Sequence, residues 1–301
     1  MKYIYACDDN YAGLTAISAV SLLKHNPQSN IILLGDNLKS DSVEIVRSRV
    51  LNAGGTFQHI DTSGFLEELK RQNIPHYTSF SIFSRLFAAD ILPDVHERML
   101  YLDSDTLIVD SLSELNTLPL HGKPLALGLD AVHAAYKKHI SVPRDKPYFN
   151  TGVFLIDPDE WRRRNCSARL MEEFRHPTGA ITLPEQDAIA RIMNEEVEPL
   201  SPRWNYLSQF VLCRVPAHPA IYHFSGHTLG RPWYTSSKHP MREAFRQAAK
   251  DAGLAELAEQ IRPMIREYVV EYALYRLLPT LLFRPIFCAL HRLHIYKSYR
   301  V

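Results

Sequence analysis

The sequence has almost no net charge, because 34 lysines and arginines stand against 33 aspartates and glutamates. A chain without excess positive charge has no general attraction for nucleic acids, which disfavours DNA or RNA as a partner. The four cysteines are far apart and form no Cys-x-x-Cys pair, so no zinc site is indicated. The first apolar run is short and ends at Asp8 and Asp9, so we expect no export by a signal peptide.

What the sequence does contain is a pair of aspartates, Asp103 and Asp105, directly after the apolar run 99–102. Side chains of an extended strand alternate, so both carboxylates are expected on the same side. Two negative charges beside a buried strand need a cation or a ligand to neutralise them. Mg²⁺ and Mn²⁺ accept carboxylate oxygens and complete their shells with water and substrate phosphates. The pair therefore predicts a metal-bridged diphosphate, unless the aspartates only cap a turn or helix.

Apolar periodicity predicts alternating strands and helices in the first half of the chain. Such alternation favours a mainly parallel sheet with helices on both faces, and ligands bind at the carboxyl ends of its strands. Asp8, Asp36, Asp103 and Asp130 all follow apolar runs at this expected edge. Aspartate also favours turns, and for Asp36 we expect only that role. Strands are expected at 2–7, 30–35, 56–60, 99–102, 124–129 and 149–157, and helices at 11–25, 40–52, 79–92 and 183–193.

Two other enzyme classes fit the sequence poorly. Phosphohydrolases of the haloacid dehalogenase type also place Asp-x-Asp after a strand, but near the N-terminus and with threonine four residues after the first aspartate. Here Leu107 occupies that position, and Thr106 comes one residue early. A nicotinamide-binding domain is disfavoured because no Gly-x-Gly-x-x-Gly follows the first strand.

Taken in order, several segments resemble glycosyltransferase family 8, the retaining sugar-nucleotide enzymes that include bacterial lipopolysaccharide galactosyl- and glucosyltransferases. The similarity runs from Met1 to about Trp233. It implies an α/β fold: a GT-A type, Rossmann-like single domain with a mixed, mainly parallel sheet, followed by a C-terminal helical basic tail. The segments that carry it are 6–11, the helix with Arg85, 101–105, 149–152, 185–187 and 223–226.

The resemblance also implies a division of labour among the site residues. Gln186, Asp187 and Asp130 would act in catalysis, with Gln186 stabilising positive charge near the anomeric carbon and an aspartate orienting the sugar. Mn²⁺, or Mg²⁺, is the implied cofactor. The implied groups are the uridine pocket (Ala6, Asp8 and Asn10), the metal ligands (Asp103, Asp105 and His223), the donor contacts (Arg85, Gly226 and Arg231) and the hexose pocket (Asp130, Asn150, Glu185, Gln186 and Asp187).

Two positions depart from the pattern of the lipopolysaccharide galactosyltransferases. Arg231 precedes Pro232-Trp233 where those enzymes have a lysine, and its planar guanidinium imposes a different geometry on a phosphate contact. Glu185 begins the Glu-Gln-Asp segment where they have aspartate. The extra methylene beside the sugar leaves the choice between galactose and glucose open.

The implied reaction moves a hexose from a UDP-sugar to an acceptor hydroxyl on a glycan, on lipopolysaccharide or another glycolipid, with retention of configuration. Retention permits a covalent glycosyl-enzyme or front-face attack through an oxocarbenium-like state, and we favour the second. The alternative from a different class is a non-catalytic scaffold that kept the fold and binds sugar nucleotide or membrane.

The segment 264–301 has a different character from the rest of the chain. Between Ala273 and Val301 there are five lysines and arginines, interleaved with apolar residues, and no acid. The apolar stretch is too short to span a bilayer and is interrupted by Pro279, Arg284 and Pro285. It suits an interfacial segment on an anionic membrane, or else a tail packed on its own domain or on a second subunit. We therefore expect a catalytic domain at 1–263, in the cytoplasm, held peripherally at the inner face of the membrane.

Overall fold

A computed structural model describes residues 1–71, 80–132, 134–225, 231–235, 237 and 239–260 of the chain. Strands and helices alternate through its first part, at the positions that the apolar periodicity predicts except for α3, which was not predicted. The elements are β1 (Lys2–Cys7), α1 (Ala12–His25), β2 (Asn30–Gly35), α2 (Ser40–Asn52), β3 (Thr56–Asp61) and α3 (Ser63–Arg71).

The second part is less regular and contains short strands joined by 3₁₀ turns. The helix expected at 79–92 is a 3₁₀ helix, Phe80–Phe87, followed by the single α turn α4, Ala88–Ile91. The remaining elements are β4 (Met99–Leu102), β5 (Thr106–Ile108), a 3₁₀ turn at Ser113–Asn116, β6 (Leu125–Leu129), α5 (Ala134–His139), β7 (Phe149–Ile156), α6 (Pro158–Arg163), α7 (Cys166–Arg175), α8 (Pro184–Ile192), a 3₁₀ turn at Asn194–Glu196, β8 (Val197–Leu200), a 3₁₀ turn at Pro202–Trp204, β9 (Tyr206–Leu207), α9 (Ser208–Cys213), β10 (Ile221–His223), α10 (Arg242–Asp251) and a 3₁₀ turn at Ala255–Glu259.

Within the described ranges, the main sheet has seven strands in the order β3-β2-β1-β4-β7-β6-β8. All neighbours are parallel except β7, which runs antiparallel to β4 and β6. The predicted α/β fold with a mixed, mainly parallel sheet is therefore confirmed. Because β7 is reversed, its first residues, 149–152, lie at the edge where β1, β4 and β6 end. Side chains from four strands are brought to one place in this way.

A small second sheet, β5-β10-β9, begins beside this edge, directly after the aspartate pair. Strand β10 pairs antiparallel with β5, so that His223 lies opposite Thr106, one residue after Asp105. It also pairs parallel with β9, which places His223 beside Leu207. The N–H of Phe224 donates to the carbonyl of Asp105 at 2.9 Å. The small sheet thus places His223 beside the aspartate pair, although His223 lies more than a hundred residues further along the chain.

The core lies on both faces of the main sheet. Alternate residues of β1 point to opposite layers: Tyr5 packs in the layer that contains α1, and Ile4 packs in the layer that contains the 3₁₀ helix at Phe80–Phe87. Both side chains are fully buried. Strands covered on both faces read as continuous apolar runs, which explains why their positions were predictable.

The segment 264–301, predicted to associate with membranes, lies outside the described residues, so that prediction and the boundary at residue 263 stand untested. Within the described part of the chain, no helix combines the length and apolar character needed to cross a bilayer.

Candidate active site

Asp103-Ser104-Asp105 forms the turn between β4 and β5, and the expectation that the pair lies on an extended strand is wrong. The hydroxyl of Ser104 is directed towards α1, where it shares a hydrogen bond of 2.7 Å with Thr15. The N–H of Asp103 donates to the carbonyl of Gly152 in β7 at 2.8 Å. The turn is therefore held from two sides, and the two carboxylates converge because of the turn and not because of strand alternation.

Both aspartates meet His223. Its Nε2 lies 3.2 Å from Oδ1 of Asp105 and 3.7 Å from Oδ2 of Asp103. One potential ligand atom from each of these three residues falls within 4.8 Å of the others. The His223 side chain is 3% exposed, against 23% for Asp103 and 14% for Asp105. Two carboxylate oxygens and one imidazole nitrogen form a donor set that fits Mn²⁺ well, and Mg²⁺ less well because it prefers oxygen ligands.

The electrostatics of this group favour a positive charge at its centre. Burial alone would lower the pKa of His223, but the carboxylates of Asp105 and Asp103 outweigh burial and raise it. Burial alone would raise the pKa of Asp105, but His223 and Arg231 outweigh burial and hold it well below its usual range. Charges that stabilise a protonated imidazole at this point also stabilise a metal cation there.

Arg85 neutralises Asp103 from the side of the 3₁₀ helix. Its Nη2 lies 2.9 Å from Oδ1 of Asp103, and its Nη1 donates to the carbonyl of Thr151 at 3.0 Å. The guanidinium lies over the ring of Tyr101, 4.6 Å from the centroid. Burial alone would lower the pKa of Arg85, but Asp103, Tyr101 and Glu185 together outweigh burial and the pKa is raised. Arg85 is therefore a fixed, charged part of the site.

Arg231 neutralises Asp105 from the opposite side. Its Nη1 contacts Oδ2 of Asp105 and the carbonyl oxygen of Phe224. The guanidinium also lies 5.3 Å from the centroid of the Trp233 ring. The residue that replaces the family's lysine thus reaches the predicted metal site itself. Gly226, the other residue expected at the diphosphate, lies outside the described residues.

Three of the residues predicted to surround the hexose contact one another. Nδ2 of Asn150 donates to Oε1 of Gln186 at 3.1 Å and to Oδ2 of Asp130 at 3.3 Å. The other oxygen of Asp130 accepts from Nε2 of Gln209 at 2.8 Å. This group adjoins the metal ligands because Asn150 lies at the start of β7, two residues before Gly152.

Asp187 is fully buried, and both of its oxygens are occupied by donors. Oδ1 accepts from the hydroxyls of Tyr148 at 2.7 Å and Tyr136 at 2.9 Å. Oδ2 accepts from the backbone N–H groups of Thr182 at 2.7 Å and Leu183 at 2.9 Å. These bonds hold the first turn of α8, which Pro184 begins, and so fix the two preceding residues of the segment 185–187.

Glu185 differs from Asp187, because only one of its two carboxylate oxygens accepts a hydrogen bond from the described residues. Oε1 accepts from the hydroxyl of Thr151 at 3.3 Å. Oε2 is buried and has no hydrogen-bond partner among the described residues. Burial raises the pKa of Glu185, and the nearby Arg85 only partly opposes this. A buried, unpaired carboxylate oxygen at this edge of the sheet is available to a ligand hydroxyl.

The residues expected to bind uridine follow β1, the strand next to β4. Ala6 is buried near the end of this strand, and Asp8 is half-buried and accepts from the N–H of Asn10 at 3.0 Å. Since β1 and β4 are parallel neighbours, these residues and the aspartate turn leave the sheet at the same edge. The structure therefore places the whole set of described site residues along one edge.

Among the side chains that contact the predicted metal ligands, Tyr101 and Asn205 were not predicted from the sequence. The hydroxyl of Tyr101 donates to Oδ1 of Asp103 at 2.8 Å. Its position two residues before Asp103 was a usable signal. Oδ1 of Asn205 lies 3.0 Å from Nδ1 of His223. Asn205 follows the 3₁₀ turn Pro202–Trp204 outside any motif, so the sequence offers no signal for it.

A mixed α/β sheet with an Asp-x-Asp turn and a histidine at its carboxyl edge has the architecture of a GT-A type glycosyltransferase. The sequence profile of glycosyl transferase family 8 matches residues 2–236, and the chain belongs to that family. The resemblance inferred from the motifs is thereby confirmed.

Curated relatives include general stress protein A of Bacillus subtilis strain 168, which is 27% identical over 267 residues, covering 81% of this chain and 91% of the relative. Lipopolysaccharide 1,3-galactosyltransferase of Salmonella typhimurium strain LT2 is 24% identical over 262 residues, covering 82% and 77%. Among solved structures, galactosyltransferase LgtC in complex with donor and acceptor sugar analogs superposes with a TM-score of 0.72 at 22% identity, over 90% of this chain and all of that one. An active-site mutant of LgtC gives 0.73 at 21% identity, again over 90% of this chain and all of that one. At these identities, the two structures show a shared fold.

Proposed function

We propose that this protein transfers a hexose, galactose or glucose, from a UDP-sugar to a hydroxyl group of a glycan acceptor, with retention of the anomeric configuration. The convergence of Asp103, Asp105 and His223 between two arginines is the observation that carries this proposal. Membership of family 8 supports it, since the family generally retains configuration. A relative named as a lipopolysaccharide galactosyltransferase and LgtC with bound donor and acceptor analogs support the same substrate classes.

The donor nucleotide would lie along the edge from β1 to β4, with uridine beside Ala6, Asp8 and Asn10. Asp103, Asp105 and His223 would hold Mn²⁺, or Mg²⁺, which when bound supplies Lewis-acid neutralisation of the diphosphate charge. Arg231 adds a fixed positive charge at the same place, where it favours a departing diphosphate.

The hexose would lie against Glu185, Asn150 and Asp130. Oε2 of Glu185 is buried without a partner among the described residues, so a sugar hydroxyl that donates to it removes an unfavourable desolvation. Both side-chain N–H groups of Asn150 are used, on Asp130 at 3.3 Å and on Gln186 at 3.1 Å, so Asn150 holds Asp130 in place. The carboxylates of Asp130 and Glu185 then provide the acceptor atoms for the sugar hydroxyls.

Gln186 is better suited to stabilising charge than to attacking as a nucleophile. Its Oε1 accepts from Asn150 and from the N–H of Thr151, and its Nε2 donates to Tyr148 at 3.3 Å. Held in this way, the amide presents a fixed dipole to the sugar pocket. Both oxygens of Asp187 are occupied, so we assign it a positioning role for Gln186 and Glu185.

We favour front-face substitution at the anomeric carbon. The acceptor oxygen forms its bond to C1 on the face from which the bond between C1 and the UDP oxygen breaks. The acceptor proton passes to the departing phosphate oxygen, so UDP leaves with that proton and the balance is complete. No protein nucleophile is needed for this route.

The first test is hydrolysis and binding of a panel of UDP-, GDP- and dTDP-sugars, with Mn²⁺ and with chelator. We expect Mn²⁺-dependent hydrolysis of one UDP-hexose, which also identifies the donor. Turnover that persists in chelator would overturn the metal assignment. Absence of binding and turnover for every sugar would favour the alternative of a non-catalytic scaffold.

The acceptor proposed from the family and the tail is lipopolysaccharide or another glycolipid, at the cytoplasmic face of the membrane. Flotation of the full chain with vesicles of anionic or zwitterionic lipid tests the tail. Substituting Arg276, Arg284 and Arg292 by glutamine should abolish flotation with anionic vesicles. Equal flotation of the substituted and native chains would contradict membrane attachment by 264–301.

A further inference from the structure

We infer that Asn205 is a positioning residue for His223: it accepts a hydrogen bond from Nδ1–H and so leaves Nε2 to face the metal position between Asp103 and Asp105. The inference rests on the proposed metal role of His223. It extends that role to Asn205, a buried side chain whose hydrogen bonds within the described part of the chain go to His223 and Asn150.

The contact between the two side chains is short and buried. Nδ1 of His223 lies 3.0 Å from Oδ1 of Asn205, and Asn205 is fully buried. An amide oxygen can only accept a hydrogen bond, so Nδ1 must carry the proton. Nε2 is then the nitrogen left to bind a metal, and it is Nε2 that faces Asp105 at 3.2 Å. Metal-ligating histidines commonly use their second nitrogen in this way.

The orientation of the Asn205 amide follows from its other neighbour. Nδ2 of Asn205 lies 2.9 Å from Oδ1 of Asn150. That atom of Asn150 must be the oxygen, because it accepts from the backbone N–H of Gly152 at 3.0 Å and a backbone N–H can only donate. The atom of Asn205 that faces it is therefore the nitrogen, and the atom that faces His223 is the oxygen.

The backbone N–H of Thr151 fixes the orientation of the next amide in the series, that of Gln186. Nδ2 of Asn150 donates to Oε1 of Gln186, and this oxygen also accepts from the N–H of Thr151 at 3.3 Å. Nε2 of Gln186 donates to the hydroxyl of Tyr148, which donates to Asp187. In this series each residue donates a hydrogen bond to the next, from His223 through the amides and Tyr148 to the carboxylate of Asp187.

The packing around Asn205 keeps the amide in place. A Cβ built on Gly128 would lie 2.8 Å from Cβ of Asn205, so β6 leaves room for Asn205 only because residue 128 is glycine. Asn205 also directly precedes β9, which pairs with β10 next to His223. The two side chains are therefore carried by one strand pair, and their separation is set by backbone hydrogen bonds.

The first measurement is the proton on Nδ1 of His223 in the full chain without metal. ¹⁵N–¹H spectra of histidine-labelled protein detect an Nδ1–H held in a hydrogen bond, whether or not Nε2 is also protonated, and His223→Asn identifies the signal. We expect a slowly exchanging Nδ1–H in the native chain and in Asn205→Asp, which keeps the acceptor. Asn205→Leu should lose this protection, because no acceptor then faces Nδ1. An unchanged, slowly exchanging Nδ1–H in Asn205→Leu would overturn the inference.

The second measurement is Mn²⁺ binding by electron paramagnetic resonance, without any sugar nucleotide. Loss of such an outer partner typically weakens metal binding about 10- to 100-fold, and we expect this of Asn205→Leu. Asn26 offers a matched control, because it is a buried asparagine that accepts from the N–H of Leu112 and donates to the carbonyl of Leu22. Asn26→Leu should lower the melting temperature and leave the Mn²⁺ affinity unchanged.

The two measurements separate this inference from the proposed function. A native chain that does not bind Mn²⁺ contradicts the metal site, while the Nδ1–H spectra still decide whether Asn205 orients His223. A native chain that binds Mn²⁺, with Asn205→Leu within twofold of it, contradicts the positioning role alone.

Discussion

Gly152 lies so close to Asp103 that no side chain can be placed between them. A Cβ built at residue 152 would lie 2.6 Å from Oδ2 of Asp103 and would overlap the ring of His223. The backbone of Gly152 is also committed, since its carbonyl accepts from Asp103 and its N–H donates to Asn150. Glycine at this position is therefore a condition for the three metal ligands to converge.

Gly152→Ala should consequently disable the site with little effect on the rest of the fold. We expect Mn²⁺ affinity and UDP-hexose hydrolysis to fall by about 100-fold or more, because the methyl group displaces two ligands at once. Gly64→Ala is the matched control, since no atom lies within 4 Å of a Cβ at that helical position. Native-like Mn²⁺ binding by Gly152→Ala, measured by electron paramagnetic resonance, would contradict the proposed ligand set.

Asp105 connects the metal group to Arg231, and its carboxylate is the more buried of the pair. Asp105→Asn keeps the size of the side chain and removes its charge. We expect hydrolysis of UDP-hexose to fall by about 10²–10³-fold, as for loss of a preorganised charge in an active site. The control is Asp110→Asn, which removes an exposed carboxylate that pairs with Arg203.

Metal titrations distinguish a lost ligand from a general loss of structure. Raising the Mn²⁺ concentration should restore part of the activity of Asp105→Asn if the defect is in metal affinity. Full activity of Asp105→Asn in the presence of chelator would show that the aspartate pair serves another purpose.

Glu185 combines a functional and a stability prediction of opposite sign. Burial raises the pKa of its carboxyl above the ordinary 4.5, so the folded chain releases this proton at a higher pH than the unfolded chain. As the pH rises from the pKa of Glu185 in the unfolded chain to its pKa in the folded chain, the unfolded chain loses this proton first. The contribution of Glu185 to the free energy of unfolding therefore falls as the pH rises. Glu185→Gln removes this penalty, while it also removes the carboxylate proposed to bind the hexose.

We therefore expect Glu185→Gln to resist denaturant at least as well as the native chain at pH 7.5, and to hydrolyse the donor more slowly. Glu196→Gln is the contrasting control, because hydrogen bonds from Arg169 lower the pKa of Glu196 and its loss should destabilise the protein. Urea unfolding at pH 4 and pH 7.5 measures both effects. A Glu185→Gln variant with native donor turnover would remove Glu185 from the sugar pocket.

The longer strands, and the position of the aspartate pair directly after one of them, could be predicted because short-range patterns determine them. An apolar run that ends in acids identifies β1 and β4, and both occur where expected. The segment 79–92 was predicted as one helix, because apolar residues three and four apart suit an α-helix and a 3₁₀ helix alike. The choice between them depends on packing: Phe83 and Leu86 are fully buried in the layer below β1.

The residues that orient the site could not be predicted, because distant segments supply their partners. Asn205 contacts His223 across 18 residues and Asn150 across 55, and none of these separations follows a local period. For Asp187, the position in the site was predicted but its hydrogen-bond partners were not. The sequence places it in the segment 185–187 with its neighbours, yet only the structure reveals that Tyr136 and Tyr148 occupy its Oδ1.

His239 predicts an acid-sensitive component of stability outside the metal group. The residue is 3% exposed, its Nδ1 accepts from the N–H of Met241 at 3.1 Å, and its Nε2 lies 3.3 Å from the hydroxyl of Ser208. Burial, with a smaller contribution from Arg231, lowers the pKa of His239 from 6.5 to about 4. Protonation of Nδ1 would also break the hydrogen bond from Met241. The folded chain therefore keeps this imidazole neutral.

Because the pKa is lower in the folded chain, the unfolded chain takes up this proton first as the pH falls. Stability contributed by His239 is complete above about pH 6.5 and is lost progressively towards pH 4, by about 3 kcal/mol in total. His239→Asn retains an acceptor for Met241 but cannot take up the proton. We expect His239→Asn to be less stable than the native chain at pH 7.5, and the difference to shrink or reverse by pH 4.

His218→Asn, at an exposed histidine, controls for loss of an imidazole. If the difference in unfolding free energy between the native chain and His239→Asn stays constant across this pH range, His239 has the same pKa in the folded and in the unfolded chain, and the prediction is wrong.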